Sequence, residues 1–118
     1  MPARLNYVEL PVRDTAGSKA FFETAFGWSL TAFGPDYAAT LGAGAGGTSD
    51  IGLNGDPAEA TAAPLAVIEV DHLEEALVSV EAAGGVITRP IFAFPGGRRF
   101  HFREPSGNEL AVYVNEPG

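Results

Sequence analysis

The chain has 118 residues, 46% of them hydrophobic, enough for a small core and too short to call for a second domain. Its 7 Lys and Arg against 15 Asp and Glu give a net charge of −8, which speaks against a nucleic-acid backbone or an anionic membrane surface as partner and makes a neutral or cationic small molecule the easier one. With no cysteine, disulfide scaffolds, thiolate metal sites and cysteine nucleophiles are excluded.

The first element expected is a strand over Leu5 to Val12, where Leu5, Val8, Leu10 and Val12 largely alternate with Asn6, Tyr7, Glu9 and Pro11. Asp14 and Thr15 can cap a helix running to Phe26, with Ala20, Phe21, Phe22, Ala25 and Phe26 as its buried side and Gly27 as a left-handed stop. Short strands are expected at Trp28 to Phe33, Tyr37 to Leu41 and Ser49 to Leu53. The intervening run Gly42 to Gly47 lacks the strand, lysine and helix context of a phosphate-binding loop and is expected to be a hairpin turn.

The stretch Asn54 to Pro64 holds two prolines and no hydrophobic periodicity, and a linker between two halves is expected at about residues 55–63. The pattern then repeats. Leu65 to Val70 reads as a strand, and Asp71 is expected to cap a helix whose Glu74 completes a capping box. Leu73, Ala76, Leu77, Val80 and Ala83 form its apolar face, and Gly84 with Gly85 ends it. Strands at Val86 to Thr88, Arg98 to Arg103 and Glu109 to Val114 follow, with Pro90 to Gly97 as a loop and Pro105 to Asn108 as the last turn. The interval from Val12 to Gly27 equals that from Val70 to Gly85, so an offset of 58 superposes strand, helix and stop and pairs Tyr7 with Leu65.

No basic segment followed by a long apolar run opens the chain, and no stretch approaches about 18 apolar residues, so a cytoplasmic protein without a spanning helix is expected.

Two segments carry a family resemblance. YVELPVRDTAGSKAFFETAFGW, Tyr7 to Trp28, resembles the opening strand, aspartate, aromatic helix and closing F-G-W of the vicinal oxygen chelate superfamily, which includes glyoxalases, bleomycin-resistance proteins and extradiol dioxygenases. REPSGNELAVY, Arg103 to Tyr113, resembles its D-P-x-G-N turn and last strand, with Glu104 in place of the aspartate. The resemblance implies an α+β fold over residues 1–118 as a single domain: two βαβββ repeats, about 5–54 and 64–114, forming a cupped mixed sheet with the helices outside.

Metal-dependent members place two ligands in each half, one on its first strand and one on its last. By position these fall on Tyr7, Asp50, Leu65 and Ala111. Leucine and alanine have no donor atoms, and a divalent metal normally takes three or more protein ligands, so no cofactor is expected; a divalent metal is the alternative. Strand alternation from Tyr7 lists a candidate ligand pocket: Tyr7, Glu9, Asp50, Glu69, Arg99, His101, Arg103, Glu109 and Tyr113, with Trp28 as a further aromatic wall. The same charged residues could instead pair with one another. His101, beside Glu9 or Glu109, is the candidate general base, whereas His72 belongs at a solvated helix start. The resemblance implies a homodimeric small-molecule-binding protein of the bleomycin-resistance type. The alternative is a glyoxalase-like lyase or a dioxygenase using an atypical metal site or acid and base chemistry alone.

Overall fold

The computed structural model describes residues 3–41 and 49–116; the glycine-rich run at 42–47 lies outside the described residues. The elements in chain order are β1 (Ala3–Pro11), α1 (Thr15–Phe26), β2 (Thr31–Ala32), β3 (Tyr37–Ala39), β4 (Asp50–Asn54), β5 (Leu65–Val70), α2 (Leu73–Ala82), β6 (Val86–Phe94), β7 (Gly97–Arg103) and β8 (Glu109–Asn115). They form an α+β fold of two βαβββ repeats. The chain divides into two compact units, residues 6–65 and residues 66–118, the second joined by the first residues of β1. Among the described residues no helix is long and apolar enough to cross a membrane.

In the first unit the strand order is β2-β3-β4-β1. β1 and β4 run parallel with Tyr7 opposite Asp50 and Glu9 opposite Gly52, and β3 is antiparallel to both β4 and β2. α1 begins where the Asp14 carboxylate accepts the Gly17 backbone N–H at 3.0 Å, and it stops where Gly27 takes φ of 70° and donates to the Glu23 carbonyl. One face of the sheet packs under α1: Leu30, Ala38 and Leu53 are buried there, with Leu10, Val12, Ile51 and Phe22 against them.

The helix does not bury its aromatics as the sequence suggests. Phe22 is the α1 aromatic in the core, while Phe21 and Phe26 remain 59% exposed and Ala20 and Ala25 face solvent. At about 100° per residue, Phe21 and Phe22 cannot point to one sheet. Phe26 and Trp28 stack on Phe22 from outside, with ring centroids 6.2 and 5.5 Å away.

The second unit repeats the topology as β5-β8-β7-β6, with β5 and β8 parallel and the rest antiparallel. Its core is larger, because Phe100 and Phe102 on β7 join Val112 and Val114 on β8, Val70, and Leu73 and Ala76 on α2. The N-cap of α2 is His72, an exposed residue that makes no side-chain capping bond. The expectation for Asp71 is therefore corrected: its carboxylate is drawn to Arg4 at 3.1 Å instead. Ala83 is likewise exposed rather than part of the apolar face.

The expected loop from Pro90 is also corrected, since β6 continues to Phe94. Its pairing with β7 shifts between Ile87 and Arg89 and again between Arg89 and Phe92. A proline lacks the N–H a regular ladder requires, and such an irregular stretch at the end of the strand order is where a sheet tolerates one.

Candidate functional site

In the first unit, residues of β1 alternate so that Leu10 faces α1 while Tyr7 and Glu9 share the opposite face. Tyr37 on β3 joins them. Its hydroxyl donates to Glu9 Oε1 at 2.9 Å and lies 2.5 Å from the Tyr7 hydroxyl. Because a phenol has one proton and Tyr37 gives it to Glu9, Tyr7 is the donor in the second bond. Burial, then the Glu9 carboxylate and Tyr7, push the Tyr37 hydroxyl far above the usual phenol range, so it stays protonated. Glu9 is only 3% exposed, a buried carboxylate held by this chain of hydroxyls.

Gly52 makes the arrangement possible. A Cβ there would collide with both phenol oxygens. Asp50, two residues earlier on the same face, accepts from the Thr40 hydroxyl at 2.7 Å, and that hydroxyl in turn accepts the Ile51 N–H.

In the second unit, Phe100, Phe102, Leu110, Val112 and Val114 pack toward α2, so Arg99, His101, Glu109, Ala111 and Tyr113 lie on the other face. His101 is buried, and its Nε2 receives both Arg99 Nε at 3.2 Å and Arg99 Nη2 at 2.9 Å. An acceptor Nε2 places the ring proton on Nδ1, which points to Glu109 Oε2 at 3.3 Å. Glu109 Oε2 also accepts from Thr88 at 3.1 Å. Burial, followed by the positive charge of Arg99, holds His101 below its ordinary value despite Glu109. The lone pair that a general base would use is therefore occupied by Arg99.

Aromatic rings surround this chain. The Arg89 guanidinium lies 3.8 Å over the Phe92 ring centroid, and Arg99 lies 5.6 Å from Phe92 and 6.0 Å from Phe94. Phe94 meets Tyr113 edge to face at 6.4 Å. Two other sequence candidates are engaged by neighbouring groups, Glu69 on the same face opposite Tyr113 and Arg103 at the end of β7. Glu69 accepts from Arg4 Nε at 3.1 Å and Asn115 Nδ2 at 2.5 Å, while exposed Arg103 donates to the Gly107 carbonyl at 2.9 Å and braces the last turn. In that turn the Glu104 carboxylate accepts the Ser106 and Asn108 backbone N–H groups, at 2.9 and 3.1 Å.

Tyr37, Arg89, Phe92 and Phe94 were missing from the sequence-derived list. Alternation opposite Ala38 signals Tyr37; Phe92 and Phe94 fell in the segment read as a loop, and Arg89 between that loop and the expected strand.

The register tests the metal positions. The offset of 58 carries Glu9 to Val67, and since Glu9 lies opposite Gly52 and Val67 opposite Ala111, the first-repeat mate of Ala111 is Gly52, not Asp50. The positions are then Tyr7, Gly52, Leu65 and Ala111. Three of these have no donor atom, so they do not fit a divalent metal. Among the described residues no group of three His, Asp or Glu could hold one elsewhere.

No curated protein matches the chain in sequence. Several solved structures share its fold. A Legionella pneumophila protein described as an NAD-dependent benzaldehyde dehydrogenase superposes with a TM-score of 0.75 at 16% identity, covering 98% of this chain and 100% of that one. A Mn(II)-bound glyoxalase from Novosphingobium aromaticivorans gives 0.69 at 23%, covering 96% of this chain and 40% of its own. A superfamily member from Vibrio splendidus 12B01 gives 0.67 at 17%, covering 98% and 100%. At these identities the likeness is one of fold. In sequence, residues 4–112 match the family described as the Glyoxalase/Bleomycin resistance protein/Dioxygenase superfamily. With paired βαβββ repeats, a matching sequence profile over nearly its whole length and structural neighbours in the same group, the chain belongs to the glyoxalase/bleomycin resistance/dioxygenase superfamily.

Proposed function

We propose that the chain binds a small organic ligand on the sheet faces its helices leave open, without metal, as a sequestering protein of the bleomycin-resistance type. The observation that carries this reading is Gly52, where two phenol oxygens stand in the space a ligating side chain would need. Sequestration requires affinity and no stabilised transition state, so donor-poor metal positions cost it nothing. Half-buried aromatics beside a few placed polar groups are the usual lining of a small-molecule site. The competing reading, a lyase or dioxygenase, would need either a metal ligand set or a His101 lone pair released from Arg99.

A homodimer in the cytoplasm, with neither nucleic acid nor membrane as partner, completes the proposal; light scattering after size exclusion separates 12.3 kDa from twice that mass. The metal question is tested on protein purified without chelator. Elemental analysis should find no stoichiometric metal, and nickel, zinc, manganese and iron should leave the melting curve in place. One metal per chain with stabilisation would overturn the proposal. A true ligand at a hundredfold excess over its Kd should stabilise the fold by about 2.7 kcal/mol.

A further inference from the structure

We infer that Arg99, His101 and Glu109 form a pH-sensitive latch in the second repeat, closed while the imidazole is neutral and opened when a proton taken up at His101 Nε2 expels Arg99 and draws the ring to Glu109. The latch stands on the geometry of the second repeat alone. It goes beyond the proposed ligand binding and does not require it.

The closed state depends on one lone pair. Arg99 Nε at 3.2 Å and Nη2 at 2.9 Å both donate to His101 Nε2, and a ring nitrogen can accept only while it carries no proton. Once it is protonated, an N–H faces two N–H donors, and two positive charges lie together with no acceptor between them. Arg99 has further contacts that can receive it, but its two bonds to Nε2 cannot survive the proton. On the other side of the ring the same proton is favourable. Nδ1–H lies 3.3 Å from Glu109 Oε2, a long bond that an imidazolium turns into a shorter, charge-assisted one.

Packing decides which partner moves. His101 is buried on β7 between Arg89 of β6 and Ala111 of β8, with the Phe92 ring centroid 5.8 Å away, so the ring can shift only slightly. Arg99 is half-buried and carries its guanidinium on a flexible stem, so it is the part that leaves. The charges on this face set the range. Arg99 from β7 and Arg89 from β6 oppose the proton, and Glu109 from β8 favours it. Glu69 on β5, opposite Tyr113, adds a more distant negative charge that is engaged by Arg4 and Asn115, and Arg103, farther along β7, is turned to the Gly107 carbonyl. Burial together with Arg99 outweighs Glu109 and holds the imidazole below its ordinary value, so the latch is closed at neutral pH and opens in acid. Open and closed states differ in the place of Arg99 and by one positive charge, so a ligand taken up on this face meets a different surface in acid.

The test is an NMR titration of the full chain without ligand, from about pH 8 to about pH 4, following the ring nitrogens of His101 and the Nε–H of Arg99. At neutral pH His101 should show the neutral form with its proton on Nδ1. On acidification it should protonate below about 6.5, the ordinary imidazole value, and the Arg99 Nε–H should lose its exchange protection at least tenfold with the same midpoint, after correction for the intrinsic pH dependence of exchange. Arg98, held by Glu74 and Glu116, should show no change with that midpoint. Arg99→Gln should raise the His101 midpoint and Glu109→Gln should lower it, opposite shifts that a loss of packing would not produce. Should one variant fail to fold, the other and the unaltered chain still decide. A proton on Nε2 at neutral pH, a ring that stays neutral throughout, an Arg99 signal that does not follow His101, or a midpoint moving the wrong way in either variant would overturn the latch. Because no ligand is present, each of these results leaves the ligand-binding proposal standing.

Discussion

A methyl group at position 52 would enter the space where the Tyr7 and Tyr37 hydroxyls meet, and both are tied by hydrogen bonds. Gly52→Ala should therefore destabilise the protein by about 1–3 kcal/mol in denaturant titration, the usual cost of overpacking. Because the collision is with the hydroxyls, Gly52→Ala combined with Tyr37→Phe should cost less than the two single changes added together; simple additivity would show that the phenols are not the obstacle. His101 supports a second prediction at this scale. Its pKa is held below the ordinary value in the folded state, by burial first and Arg99 second, so as pH falls below about 6.5 the unfolded chain takes up a proton before the folded one does. Stability attributable to His101 is complete above that pH, declines as pH drops through the folded value, and then levels off. Glu23, Glu74, Glu104 and Glu116 are held below the ordinary carboxylate value, chiefly by hydrogen bonds, and their contribution is lost only in a more acid range. His101→Gln should flatten the stability profile just below pH 6.5 and leave the acid limb alone. An unchanged profile in that window would contradict the buried, neutral imidazole.

The two helices look alike in sequence, each preceded by an aspartate, and the structure separates them. Asp14 makes the capping bond of α1, whereas Asp71 turns to Arg4 and leaves α2 without a side-chain cap. Asp14→Ala should cost about 1 kcal/mol, and Asp71→Ala less than about 0.5 kcal/mol, by chemical denaturation. Likewise Phe22→Ala should cost roughly 2–4 kcal/mol, less than full core burial would give, while Phe21→Ala should stay within about 0.5 kcal/mol. These pairs show what was legible. Periodicity and turn residues located every element, since they act within a few residues of chain. The choice between two neighbouring phenylalanines, or between capping a helix and pairing with an arginine 67 positions away, depends on partners distant in sequence. The same holds for the candidate site. Tyr7, Glu9, Arg99, His101 and Glu109 followed from alternation, but Tyr37 enters through β3 pairing, and Arg89, Phe92 and Phe94 lie in a stretch whose proline and irregular register imitate a loop.

For the molecule as a whole, the repeat was visible as an offset of 58, and the register Glu9–Gly52 against Val67–Ala111 keeps that offset in the first strands and makes it 59 in the last, so the second repeat has gained one residue between them. Equal topology does not imply equal strength. Among the described residues, the second repeat buries two phenylalanines with Leu73, Val112 and Val114, while the first buries Leu30, Ala38 and Leu53 over strands of two, three and five residues. Fewer buried apolar groups and shorter ladders mean a lower free energy of local opening. Native-state hydrogen exchange should accordingly protect the backbone amides of Phe100, His101 and Val112 at least about tenfold more than those of Ala38, Ala39 and Leu53. Equal protection in both repeats without ligand would mean that they open as one cooperative unit, and that the smaller core of the first draws its stability from elsewhere in the fold.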